Sequence, residues 1–177
     1  GVLKTISGSY FFVTLIQILL VFGTSLILRR IGIVFSRKKV GEIAALLFLV
    51  NPVTMTLSLI ILTDVLFVFL STLGFYLAIT IDEEKPFLKV FIVSVVFICA
   101  IYVRGMGLFA LPIFMSPVLA TKLPFKLQTK LLGVMILIIV LSIFPWIIRN
   151  YIQTGVASFN SFEAENMTCA IPKFLSS

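Results

Sequence analysis

The chain is 177 residues long, 60% hydrophobic and 12% charged, with a mean hydropathy of +1.22 and a formal net charge of +7. Soluble domains carry about a quarter charged residues, so this composition excludes a soluble globular protein; several apolar runs reach the roughly 20 residues a bilayer crossing needs, more than one cleaved leader would supply. Long continuous runs in place of two-residue alternation argue against a barrel, and basic residues that punctuate apolar runs, without interleaved aromatics, exclude a nucleic-acid groove.

In chain order, the first predicted span is Tyr10 to Leu28, stopped by Arg29-Arg30 and followed after a short apolar link by Ser36-Arg37-Lys38-Lys39. The run from Ile43 to Ile81 holds one charge, Asp64, and is too long for one helix, so it reads as a helical hairpin. Too few apolar residues precede Asn51-Pro52 for a span to end there, so it reads as a kink. Thr63-Asp64 divides the run into two passable spans, 43–62 and 64–81, with the turn between them. Asp82-Glu83-Glu84-Lys85-Pro86 is a water-facing loop, and 87–103 is the next span, with Lys89 snorkelling at its start.

Arg104-Gly105-Met106-Gly107 interrupts the apolar pattern, and 108–120 continues it with Pro112 and Pro117 inside, as a short, bent or tilted span. Lys122, Lys126 and Lys130 mark another polar edge before the last span, 131–148. Pro145-Trp146-Ile147-Ile148-Arg149-Asn150-Tyr151 closes that span as a membrane helix would end: Pro breaks the pattern, Trp and Tyr suit the interface, and Arg149 and Asn150 meet water or phosphate. Residues 149–177 read as a polar loop. The expected fold is all-α, a polytopic helical membrane protein of about six transmembrane helices. Because the chain starts at Gly1 without a methionine and stops inside a polar loop, it is expected to be a piece of a longer protein.

Alternating the spans puts Arg29, Arg30, Arg37, Lys38, Lys39, Lys85, Lys122, Lys126 and Lys130 on one side, and Lys4, Arg104, Arg149 and Lys173 on the other. The richer side is expected to be cytoplasmic. The loop 149–177 and residues 1–9 then face outward. The sequon Asn166-Met167-Thr168 falls on that outward side but is short and frequent by chance. The chain has no histidine, which removes His-based zinc sites and His bases. Cys99, mid-span, and Cys169, in the last loop, lie in settings too different to suggest a bridge. Short loops and the lack of histidine point toward a prokaryotic cell membrane.

Asp64, Arg104 and Arg149 break the apolar pattern without belonging to a basic cluster, and all three fall at the outer ends of spans. Each would cost roughly 2.5–3.5 kcal/mol facing lipid at mid-bilayer, and less near the interface. Three such charges at one depth suggest a shared polar cavity opening outward. Two arginines can hold a phosphate by bidentate, charge-assisted contacts. A carboxylate can bind a metal or a sugar hydroxyl, or orient an arginine. Gly105 and Gly107 would let the backbone approach a ligand. Plainer roles stand beside these: Arg149 as an interface anchor, Asp64 or Thr63 as a helix cap, and Arg104 as the mark of a short exposed turn.

Pro145-Trp146-x-x-Arg149-Asn150-Tyr151-x-x-x-Gly155, followed by Ser158 or Ser161 and then Asn166, resembles the end-of-helix segment of GT-C membrane glycosyltransferases. The nearest group is the protein-mannosyltransferase-like and aminoarabinose-transferase-like branch. Asn51-Pro52 resembles that family's proline-bearing span, Thr63-Asp64-Val65-Leu66 the acidic start of its next helix, and Arg104-Gly105-Met106-Gly107 the basic residue after the next span but one. The resemblance covers roughly residues 40–165 and implies a partial GT-C-type transmembrane bundle. It implies transfer of a sugar from a polyprenyl-phosphate donor to a lipid, glycan or protein acceptor on the outer face. Arg104 and Arg149 would contact the donor's phosphate, Asp64 and Asn150 would lie by the active site, and Asp64 would be the candidate ligand should a divalent metal take part; no other cofactor is implied. Members of the family usually carry the catalytic acid in the first outward loop. Residues 1–9 hold no acid, so no catalytic residue is expected in this chain, and the base is expected upstream of Gly1. The chain alone is expected to be inactive.

Two other classes share the hydrophobicity and the intramembrane charges. A transporter or flippase of lipid-linked intermediates would show internal repeats with midplane sites, and no convincing repeat is visible. A non-catalytic assembly subunit would pair these charges with a partner's helices.

Overall fold

The computed structural model describes residues 10–35, 37–59 and 63–155, and the regular structure among them is helical throughout. The helices are α1 (Tyr10–Val34), α2 (Lys38–Val50), α3 (Pro52–Leu59), α4 (Asp64–Ile79), α5 (Pro86–Val103), α6 (Leu111–Leu119) and α7 (Phe125–Thr154), with a 3₁₀ turn at Gly105–Leu108. Three stretches among the described residues are helical, long and apolar enough to cross a membrane: Phe12–Val34, Pro86–Val103 and Phe125–Gln153. Asp64–Ile79 is apolar but shorter. The chain is an integral, multi-pass, all-α membrane protein.

Helix α5 is the centre of the packing. Val90, Val93, Phe97 and Ile101 recur at helical spacing and are buried against α4, α6 and α7. From α7, Leu131, Met135, Ile139 and Ile143 form a matching stripe four residues apart. Phe114 of α6 stacks on Phe97 with ring centroids 4.4 Å apart and planes 8° from parallel. Gly74 of α4 makes room for that ring: a Cβ there would lie 2.4 Å from Phe97 Cε1. The other faces stay apolar and exposed, as at Leu137, Val140 and Leu141 of α7, the pattern of helices whose surroundings are lipid.

Three predicted spans take a different form. The stretch 43–62 is broken into α2 and α3, because Asn51 caps a new helix: its Oδ1 accepts the Val53 N–H at 2.9 Å, and Pro52 occupies the first helical position. The stretch 108–120 contributes only the nine-residue α6, preceded by the glycine-bearing 3₁₀ turn. The last helix starts earlier than 131, at Phe125, and does not end at Pro145; it runs 30 residues to Thr154. Pro145 removes one N–H, a loss that membrane helices tolerate when neighbouring groups re-satisfy the backbone. Beside it the Tyr102 hydroxyl of α5 donates to the Ser142 carbonyl at 2.7 Å. The helix stops where Gly155 takes a left-handed φ of 73° and its N–H bonds the Tyr151 carbonyl at 2.8 Å. Residues 149–154, expected as loop, are therefore the final turns of α7; the sequon, Ser158, Ser161 and Cys169 lie outside the described residues.

The helices α1, α4, α5 and α7 pack in that order, each on the next. Gly23 of α1 lies against Phe69 of α4, while Val34 and Ile79 line one cavity with Lys122. These two fixed points make α1 and α4 parallel. The loops 80–85 and 120–124 lie together at this basic end. Gln128, buried, ties down the second loop by donating from Nε2 to the Thr121 carbonyl at 2.8 Å. In the first loop, Asp82 pairs with Lys89 at the start of α5.

Candidate polar site at the heads of α4 and α5

Asp64 is the first residue of α4, and Arg104 directly follows the last residue of α5. Because α4 and α5 pack side by side, these two ends meet, and Arg104 Nη1 forms an ion pair with Asp64 Oδ1. Side-chain exposure is 42% for Arg104 and 21% for Asp64, so the carboxylate is the more enclosed partner. Its place in the first turn of α4 also sets a negative charge at the positive end of the helix dipole. Thr63 is the N-cap, but neither it nor Asp64 makes a side-chain capping bond. The carboxylate goes to Arg104 instead of to the backbone.

The chain leaves α5 at Arg104 in an extended conformation and turns back at once. The Gly107 N–H bonds the Arg104 carbonyl at 2.8 Å. Gly107 is buried and closely packed: a Cβ would sit 3.1 Å from both Ile101 Cα and the Phe67 ring, so its neighbours would have to shift by a few tenths of an ångström. This glycine lets the 3₁₀ turn fold onto α5 and hold Arg104 at the head of α4.

Asp64 also lines a small, largely apolar cleft of about 40 Å³ with Val21 and Thr24 of α1, Phe48 of α2, Thr54 of α3 and Val65. The register with α1 therefore sets Asp64 well below the far end of that helix. At about 1.5 Å per residue, α1 continues roughly 16–21 Å from Val21 and Thr24 to its start at Tyr10. On the other flank, Tyr102 reaches Ser142 and Trp146 of α7. By the same rise α7 continues roughly 12–16 Å past the head of α5. The ion pair is thus recessed between two taller helices.

Arg149 is not brought onto this pair. It lies over the indole of Trp146, with its Cζ 4.9 Å from the ring centroid, and Trp146 meets Tyr102 edge-to-face at 5.8 Å. Arg149 connects to Arg104's neighbourhood through Trp146 and Tyr102. Asn150, 4% exposed, is buried on the same helix. The Trp146–Arg149 stack was legible from its helical i, i+3 spacing once 145–154 is read as helix; the bond from Tyr102 to Ser142 had no sequence signal.

Among the described residues, no group of three His, Cys, Asp or Glu side chains comes together. Asp64 is a single carboxylate already engaged by a guanidinium. Among the described residues, that donor set does not fit a metal. What the arrangement does offer is an enclosed, charge-assisted pair with its cationic member the more exposed, and a second cation mounted on an indole nearby.

No protein-family model, curated protein or solved structure matches the chain.

Proposed function

We propose that this chain carries the donor-phosphate site of a membrane glycosyltransferase that moves a sugar from a polyprenyl-phosphate donor to a lipid, glycan or protein acceptor on the outer face. The observation that carries the reading is the recessed Asp64–Arg104 pair. An ionisable pair kept between apolar helices costs desolvation, and such residues mark substrate pathways. A phosphate at the head of a polyprenyl chain has the matching chemistry: the chain lies in lipid, and the anion needs a cation below the membrane surface.

In this reading the sugar–phosphate C–O bond breaks as the acceptor oxygen forms its bond to the same carbon, with inversion. The electron pair of the broken bond leaves on the phosphate. Arg104, fixed before the reaction by Asp64 and the Gly107 turn, stabilises that charge without reorganising. Arg149, held on Trp146, is the second phosphate contact from the α7 side. Asp64 positions Arg104 and is not assigned as the base; the acceptor's proton goes to a base outside this chain.

The test is sugar transfer from a polyprenyl-phosphate donor in membranes carrying the full-length protein. Arg104→Ala is expected to lower transfer about 10- to 100-fold, the range of one charge-assisted hydrogen bond of about 1.5–3 kcal/mol. Undiminished transfer removes Arg104 from the mechanism. Lipid-sugar translocation without transfer would favour the transporter reading instead.

A further inference from the structure

We propose that the turn of the α1–α2 hairpin, at the basic end, binds one anionic glycerophospholipid, with an acyl chain in the groove beside the Gly32–Gly41 crossing and the phosphate on Arg37. The crossing is as close as backbones come. A Cβ on Gly32 would lie 2.4 Å from Gly41 Cα, and a Cβ on Gly41 would lie 2.7 Å from the Arg29 carbonyl oxygen. Because neither position carries a side chain, the hairpin leaves an open groove of about 570 Å³. Its walls include Leu28, Ile31, Phe35, Val40 and Ala44, and its one charged lining residue is Arg37.

The charge around that residue is one-sided. Arg37 is the N-cap of α2, and Arg30, Lys38 and Lys39, on the same hairpin, are exposed as well. The only acid between residues 28 and 44 is Glu42, and its Oε1 is matched by Arg29 Nη2 at 3.4 Å. Arg30, Arg37, Lys38 and Lys39 therefore remain as an excess of positive charge at the mouth of an apolar groove. A soluble anion has no use for the apolar wall, and a neutral lipid has none for the cations. An anionic phospholipid satisfies both, in the leaflet where the hairpin turns.

The test titrates detergent-solubilised protein with phosphatidylglycerol or phosphatidylcholine and counts bound lipid by native mass spectrometry. Phosphatidylglycerol is expected to bind at least about fivefold more tightly. Arg37→Ala should weaken it about fivefold, the factor that about 1 kcal/mol per surface cation implies. Ala44→Phe, which fills the groove, should weaken both lipids. The pair Lys126→Ala and Lys130→Ala, at a different basic edge, should leave binding unchanged. Should Ala44→Phe fail to fold, Arg37→Ala with Lys38→Ala decides alone, since both side chains are exposed. Equal affinity for the two lipids, or an equal loss from the Lys126 and Lys130 substitutions, overturns the proposal. Displacement by polyprenyl phosphate would assign the groove to the donor lipid and also overturn it.

Discussion

Asp64 at the head of α4 and Arg104 at the head of α5 are joined in an ion pair that the Gly107 turn and the α4–α5 packing hold below the far ends of α1 and α7. Neither side chain is free to leave without exposing the other's charge to an apolar neighbourhood. Arg104→Ala should therefore destabilise the protein by about 1–3 kcal/mol, less than a fully buried pair would lose because Arg104 is part-exposed. The double variant Asp64→Asn, Arg104→Gln should lose clearly less than the sum of the singles. Thermal unfolding in detergent measures both, and additive losses would show that the pair is not coupled.

The helix contact at Gly74 makes a second prediction. A Cβ at that position meets Phe97 Cε1 at 2.4 Å, and Phe97 is itself wedged against Phe114. Gly74→Val should cost about 1–3 kcal/mol by overpacking. Phe97→Leu in the same chain should recover part of the loss, read as a partial return of the unfolding midpoint.

Tyr102 joins α5 to α7 through one hydroxyl. Tyr102→Phe keeps the ring against Trp146 and removes the bond to Ser142. The expected loss is about 1 kcal/mol. Hydrogen exchange around Ser142 and Trp146 should quicken in the variant, while exchange in α1 stays unchanged.

Acid should loosen the α4–α5 loop. The hydrogen bond from Lys89 holds the Asp82 carboxyl below the usual carboxylate range. A lowered folded pKa means that the pair contributes stability above the unfolded value and loses it as pH falls through the folded one. The contribution is small because Asp82 is exposed. An NMR titration should place Asp82 below a reference carboxylate, and Lys89→Met should return it to the usual range.

Composition and run length made the membrane helices legible, and α5, with no internal Gly or Pro, lies within one residue of its expected span. Helix ends were harder to read, because local signals compete there. Pro145 looked like a terminator, yet α7 continues through it, and Gly155 supplies the real stop. Asn51-Pro52 looked like a kink within one span, whereas the Asn51 cap starts a separate helix. Of the candidate site, the approach of Asp64 and Arg104 followed from both standing at helix ends on one side. The stacking of Arg149 on Trp146, and of Trp146 on Tyr102, did not, because it depends on how far α7 overshoots α5, which no local pattern encodes.

The most direct test of the phosphate site is the affinity of purified protein in lipid nanodiscs for polyprenyl phosphate, with polyprenyl alcohol as the uncharged control. The phosphate should bind, and the alcohol should not compete with it. Arg104→Ala should weaken binding about 10-fold or more, and Arg149→Ala should weaken it less. Equal affinity for phosphate and alcohol, or wild-type affinity in Arg104→Ala, would contradict it.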